Sequence, residues 1–121
     1  MSLIDQVVSE LSAHSYRFTR ETDLHKGMAW VLTQAGIAFE REVVAGPRER
    51  FDFLLEGGLV IEVKVNGSLS DALLQCKRYA DRPDVTAIVL VATRHWAIKA
   101  APDLTVSGKP VRLVKLKGAS F

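Results

Sequence analysis

A single cysteine, Cys76, stands in the whole chain, so no internal disulfide can form. No cluster of cysteine and histidine has the spacing of a zinc site. No run of about 18 apolar residues occurs, which excludes a membrane-spanning segment as the reading. The opening residues, Met1-Ser-Leu-Ile-Asp5, lack the basic and apolar regions of a secretory signal, and the expected compartment is the cytoplasm. Internal repeats and low-complexity tracts are missing too. Charge of one sign is scarce: 16 Lys and Arg stand against 14 Asp and Glu, a net charge of +2 that is compatible with a nucleic-acid partner without requiring one. What is present is 48% hydrophobic and 25% charged residues over 121 positions, the profile of one soluble globular domain spanning residues 1–121.

Hydrophobic periodicity divides the chain. Leu3, Ile4, Val7, Val8 and Leu11 have helical spacing. A second helix is expected from Thr19 as N-cap, with Glu21 and Asp23 in its first turn and Gly36 as its stop. The period then shortens. Residues 37–44, 51–55 and 59–65 read as strands, the last two joined as a hairpin by Glu56-Gly57-Gly58. Ser68 and Asp71 form a weak capping box before a third helix whose apolar stripe is Leu69, Ala72, Leu73, Cys76, Tyr79 and Ala80. Residues 85–92 are a continuous apolar run, as in a strand buried on both faces. Residues 94–108 read as irregular and 111–117 as a last strand. The expected fold class is α/β, a mixed central sheet flanked by helices.

In Leu59-Val-Ile-Glu-Val-Lys-Val65, Leu59, Ile61, Val63 and Val65 share one face and Glu62 and Lys64 project together from the other. Alone, this also fits an edge strand with a solvated outer face. Asp52 adds weight, because a carboxylate interrupting the apolar strand Phe51–Leu55 is costly unless paired. A two-residue Gly57-Gly58 turn would set Asp52 opposite Val63. A three-residue loop, Glu56 to Gly58, would set Leu55 opposite Leu59 and Asp52 opposite Glu62. Gly58 suits the left-handed residue that ends such loops, so the second register is expected. Two carboxylates with a lysine beside them could hold Mg²⁺, polarise a phosphodiester and activate a water. Lys64, expected to stay charged there, would orient the water or stabilise the transition state.

Asp52, nine further residues, then Glu62-Val63-Lys64 resembles the D-(x)n-(D/E)-x-K core of the PD-(D/E)XK nucleases. The element order α-β-β-β-α-β over residues 20–92 is similar to that family's core, and the chain is similar to its small VRR-NUC-like branch and more loosely to Holliday-junction resolvases. Phe51 stands where the family's proline is expected. The resemblance implies a restriction-endonuclease-like fold and hydrolysis of DNA with Mg²⁺ or Mn²⁺ and no small-molecule cofactor. It implies Asp52, Glu62 and the Val63 carbonyl as metal ligands. Glu21, with Asp23 as rival, would hold a second metal or a water, and Gln75 would orient Lys64 or a phosphate. Expected substrates are structured DNA, with a junction or flap resolvase, or a non-catalytic nucleic-acid-binding protein of the same fold, as alternatives. A homodimer would present two sites to two strands.

Among the other residues, Arg48, Arg50, Lys77 and Arg78 are candidates for phosphate contacts, with Arg17, Arg20, Arg82 and Arg94 as outer possibilities. Arg78 could instead pair with Asp81 or Asp84. His25 reads as a packing or capping residue that could also reach metal or substrate. Cys76 and Trp30 read as helix packing, and Trp96 as a loop residue tucked over the core or stacked on a base.

Overall fold

The computed structural model describes residues 2–99 and 102–118. Helix α1 (Leu3–Ser12) starts on the Ser2 side chain, whose Oγ accepts the Asp5 N–H, and it buries Val7 and Leu11. A short strand, β1 (Ser15–Tyr16), leads to helix α2 (Glu21–Gln34). Its N-cap is Arg20, one residue later than the expected Thr19. The Asp23 carboxylate explains the shift: it accepts the backbone N–H groups of Thr19 and Arg20 and the Thr19 hydroxyl, which closes the first turn from inside the helix.

Strands β2 (Phe39–Gly46), β3 (Glu49–Leu55) and β4 (Leu59–Lys64) follow as an antiparallel meander, and helix α3 (Leu69–Ala80) carries the chain to β5 (Ala87–Ala92), parallel to β4. Ser68 caps α3 through the Asp71 N–H, as the sequence indicated. The expected α-β-β-β-α-β order is therefore present. After β5 come a one-turn helix α4 (Trp96–Lys99), β6 (Asp103–Val106), β7 (Lys109–Lys115) and the two-residue β8 (Lys117–Gly118). The expectation of irregular chain over residues 94–108 is corrected here, except at residues 100 and 101, which lie outside the described residues. Ser107 and Gly108 both have positive φ, 51° and 76°, the two-residue turn that joins twisted antiparallel strands. Four-residue β6, bounded by Pro102 and Ser107-Gly108, is too short for its alternation to stand out.

Among the described residues six strands form a mixed sheet in the order β2-β3-β4-β5-β7-β6, and β1 pairs with β8 apart from it. Helices α1 and α2 cover one face, where Val7, Leu11, Leu24, Met28 and Leu32 meet Phe53, Ile61, Val63, Val89 and Val91. Helix α3 covers the other, where Ala72, Cys76, Tyr79 and Ala80 meet Phe51, Val60, Ile88 and Leu90. The fold is α/β, a mixed sheet between helical layers. Strand β4 lies inside the sheet and five of its six residues are buried, so the solvated-edge alternative for Glu62 does not hold. Cys76 is a core residue as expected. Trp30 is not: at 58% exposure it stands out from α2, edge-on to His14.

Two local features aim the site. The hairpin has the three-residue connection, Glu56–Gly58, with Leu55 opposite Leu59 and Phe53 opposite Ile61. Gly58 is held at φ 85°, and a Cβ there would overlap the Asp84 carbonyl, so both the conformation and the space demand glycine. Beyond Phe53 the ladder between β3 and β4 stops at Asp52. Its neighbour across β2, Glu42, has a left-handed φ of 53°. Phe53 packs in the core beneath α2 while Phe51 packs in the core beneath α3, so β3 changes face at Asp52. Asp52 sits at this change of face, between the two cores.

Candidate active site and metal centre

The opening of the ladder at Asp52 is closed by side chains. The Asp52 N–H donates to Glu62 Oε1 at 3.1 Å, and the Val63 N–H donates to Asp52 Oδ2 at 2.8 Å. Each carboxylate thus replaces a missing strand partner, which fixes the two acids side by side as the three-residue loop predicts. Glu62 is only 3% exposed. Burial, then the neighbouring Asp52 charge, pushes its carboxyl up to about 8, against the Asp52 N–H and Lys64 acting the other way. Asp52 is also raised, chiefly by burial, and opposed by the Val63 N–H and by His25, Lys64 and Arg50. Two crowded, desolvated carboxylates favour the arrival of a cation.

Helix α2 brings two more groups. Glu21 and His25 lie one turn apart on the same face, and His25 Nε2 is 3.9 Å from both Glu21 Oε1 and Asp52 Oδ2. Ligand atoms of Glu21, His25 and Asp52 all lie within 4.8 Å of one another. The rival acid, Asp23, is occupied by the helix cap, so Glu21 is the acid that lies beside His25 and Asp52. His25 is the residue that sequence reasoning undervalued. Its packing role is real, since its ring lies 5.7 Å from that of Phe53. Yet Nε2 is buried without a hydrogen-bond partner, and both carboxylate contacts are too long to be hydrogen bonds. The Glu21-x-x-x-His25 spacing, two possible ligands on one helical face, was the available signal.

Lys64 is two residues beyond Glu62 at the end of β4, half-buried, and its charge acts on both Asp52 and Glu62. Gln75 from α3 is tied differently from expectation: its Nε2 donates to the Tyr79 hydroxyl at 2.9 Å, which in turn donates to the Arg50 carbonyl at 3.2 Å. Its Oε1 is buried and unpartnered. Tyr79 also packs edge-on against Phe51 at 4.9 Å, so it anchors the β3 segment that carries Asp52.

The basic candidates separate. Arg50 is exposed and its charge bears on Asp52. Arg48 is exposed in the β2–β3 turn. Arg78 approaches Glu49 at 4.0 Å rather than Asp81 or Asp84. Arg82 takes Asp84, and Lys77 takes Asp81 at 3.0 Å. Lys77 lines a groove with Leu73, Leu74 and Leu104–Val106, away from the acids. Arg20 pairs with Asp23 at 3.5 Å. Trp96 packs on the α3-side core, with its indole N–H donating to the Gly67 carbonyl, so the tucked reading holds.

The residues fit a divalent cation. Glu21, Asp52 and the unpartnered Nε2 of His25 converge on one point, while the buried Glu62, bonded to the Asp52 N–H, lies beside that group and not within it. No helix among the described residues is long and apolar enough to cross a membrane. No family model, curated protein or solved structure matches the chain.

Proposed function

We propose that the chain is a metal-dependent nuclease of the PD-(D/E)XK type, hydrolysing DNA phosphodiester bonds as a structure-selective endonuclease. The observation that carries this reading is the reciprocal bonding of Asp52 and Glu62 at the opened end of an internal strand, with Lys64 two residues on. Burying two carboxylates costs stability, and a solvated surface pair would not be held this way. A Mg²⁺ or Mn²⁺ ion held by Asp52, Glu62, Glu21 and the Val63 carbonyl would supply Lewis-acid polarisation of the phosphodiester.

The chain's own groups supply the rest. Asp52 and Glu62 are fixed by backbone N–H donors, so little reorganisation is needed when they take up their ligand. The Lys64 ammonium stabilises negative charge developing on the phosphate and orients the attacking water. Tyr79 and Gln75 brace the Arg50 segment, and the exposed Arg50 side chain, whose charge acts on Asp52, would contact a flanking phosphate, with Arg48 in the adjoining turn. A domain of this size would cover only part of a duplex, and a two-fold homodimer would present a site to each strand.

The test pairs binding with turnover. Calorimetry should detect a divalent ion on the wild type, and a labelled duplex or branched DNA should be cut only in its presence. Asp52→Asn should abolish both. Ion binding without any cutting would favour the non-catalytic nucleic-acid-binding reading, and no ion binding at all would remove the nuclease reading.

A further inference from the structure

We propose that His25 is a direct ligand of the site's divalent ion, and that its imidazole biases the site toward transition-metal ions over Mg²⁺. The inference deepens the metal-dependent reading and rests on it. The acid set implied by the sequence resemblance contains no nitrogen donor; this chain adds one.

Three observations converge. The His25 side chain is 8% exposed, and its Nε2 is buried with no hydrogen-bond partner. A buried imidazole nitrogen without a protein partner is costly, and a bound water or ion is what completes such a group. The nitrogen is also equidistant, at 3.9 Å, from one oxygen each of Glu21 and Asp52. Donors that share one ion at about 2.0–2.2 Å sit roughly 3–3.5 Å apart, so Nε2 stands within about an ångström of a shared-ion distance from each carboxylate, and the exposed Glu21 side chain, within 4.8 Å of the others, has the freedom to close the set. Finally, each donor is held by a different restraint. Asp52 Oδ2 is fixed by the Val63 N–H, His25 by the Phe53 ring, and Glu21 by its place in the first turn of α2.

The chemistry of the set decides the preference. Mg²⁺ takes oxygen ligands in near-ideal octahedra and gives up water reluctantly. Imidazole suits Fe²⁺, Ni²⁺, Cu²⁺ and Zn²⁺, and the affinity of a given site rises from Mn²⁺ through Fe²⁺, Co²⁺ and Ni²⁺ to Cu²⁺; Mn²⁺ is the weakest of them and so the strictest probe of the preference. Replacing one oxygen by Nε2 therefore gains little for Mg²⁺ and more for a transition ion.

The test is spectroscopic and uses the full chain freed of metal. Mn²⁺ is titrated with binding followed by electron paramagnetic resonance, Mg²⁺ is used as competitor, and pulsed measurements report any nitrogen bound directly to Mn²⁺. The expected wild-type result is a directly coordinated nitrogen and Mn²⁺ binding at least about tenfold tighter than Mg²⁺. In His25→Ala and His25→Gln the nitrogen signal should vanish, and Mn²⁺ affinity should fall by about tenfold or more, in the range that loss of a ligand's support produces. Mg²⁺ affinity should change less than about threefold in the same variants. Mn²⁺ bound by the wild type without a nitrogen signal would overturn the inference and leave the nuclease reading standing. Binding of neither ion would overturn both. The wild-type spectrum decides the matter even if a variant fails to fold.

Discussion

Replacing Glu62 by Gln should stabilise the metal-free protein at alkaline pH while destroying its ion binding. The Glu62 carboxyl is raised from 4.5 to about 8, with burial first among the causes and the Asp52 charge second. A group whose folded-state value lies above its unfolded one keeps its proton in the folded chain while the unfolded chain releases it. Its contribution to stability is then fully present below pH 4.5, fades as pH rises, and is gone above about 8. At about 1.36 kcal/mol per pH unit that interval sets a ceiling near 5 kcal/mol. Water reaching the opened end of β4 reduces it, and about 2–3 kcal/mol is the expected loss. The Asp52 carboxyl is also raised by burial, so it adds a loss of the same sign as pH rises. Glutamine keeps the size and the oxygen that accepts the Asp52 N–H but cannot ionise. In chelator at pH 9, Glu62→Gln should therefore melt about 10 °C above the wild type, at roughly 4 °C per kcal/mol for this chain length. At pH 4.5 the two should melt within about 0.5 kcal/mol of each other. With saturating Mn²⁺ the order should reverse, because only the wild type gains stability from the ion. A Gln variant less stable than the wild type at pH 9, or melting curves that stay parallel from pH 4.5 to 9, would refute the claim that Glu62 is held desolvated beside Asp52.

Three further outcomes follow from the packing. Gly58→Ala should cost about 3 kcal/mol by chemical denaturation, since it combines a left-handed backbone with overlap on the Asp84 carbonyl; a cost below about 1 kcal/mol would mean the hairpin relaxes easily. Tyr79→Phe should cost about 1–2 kcal/mol, because the Arg50 carbonyl and the Gln75 amide each lose a partner, and an unchanged denaturation midpoint would show that neither bond matters. Arg50→Ala should weaken DNA binding in chelator and lower the salt dependence by about one phosphate contact, whereas Lys77→Ala, paired with Asp81 and facing β6, should leave it unaltered. Equal effects of the two would place the DNA path across α3 instead.

Much of this site is legible in the chain because local rules fix it. The three-residue connection with Gly58 determines the β3–β4 register, and the register determines that Asp52 meets Glu62. The burial of β5 follows from its unbroken apolar run. Other features depend on contacts distant in sequence. The left-handed Glu42 and the change of face at Asp52 accompany the division of Phe51 and Phe53 between two cores, which no spacing within β3 reveals. Gln75 is a polar residue on the expected helix face, yet its partner is Tyr79, one turn further along, and Tyr79 reaches back to Arg50 in β3. Lys77 and Arg78, adjacent in sequence, face β6 and Glu49 respectively, because successive helical residues point about 100° apart. His25 lies on the apolar face of α2 and packs as core residues do; only the folded arrangement, with Asp52 arriving from β3, sets its unpartnered nitrogen beside two carboxylates.

The most direct test of the central claim is cleavage of end-labelled linear duplex, single strand, flap and four-way junction with Mg²⁺ or Mn²⁺, comparing the wild type with Lys64→Ala. The account predicts metal-dependent cutting by the wild type, strongest on a branched substrate, and a fall of about 100-fold or more in the variant, the scale on which a group stabilising transition-state charge acts. Absence of cutting on all four substrates by a wild type that binds the ion, or equal cutting by Lys64→Ala, would contradict it.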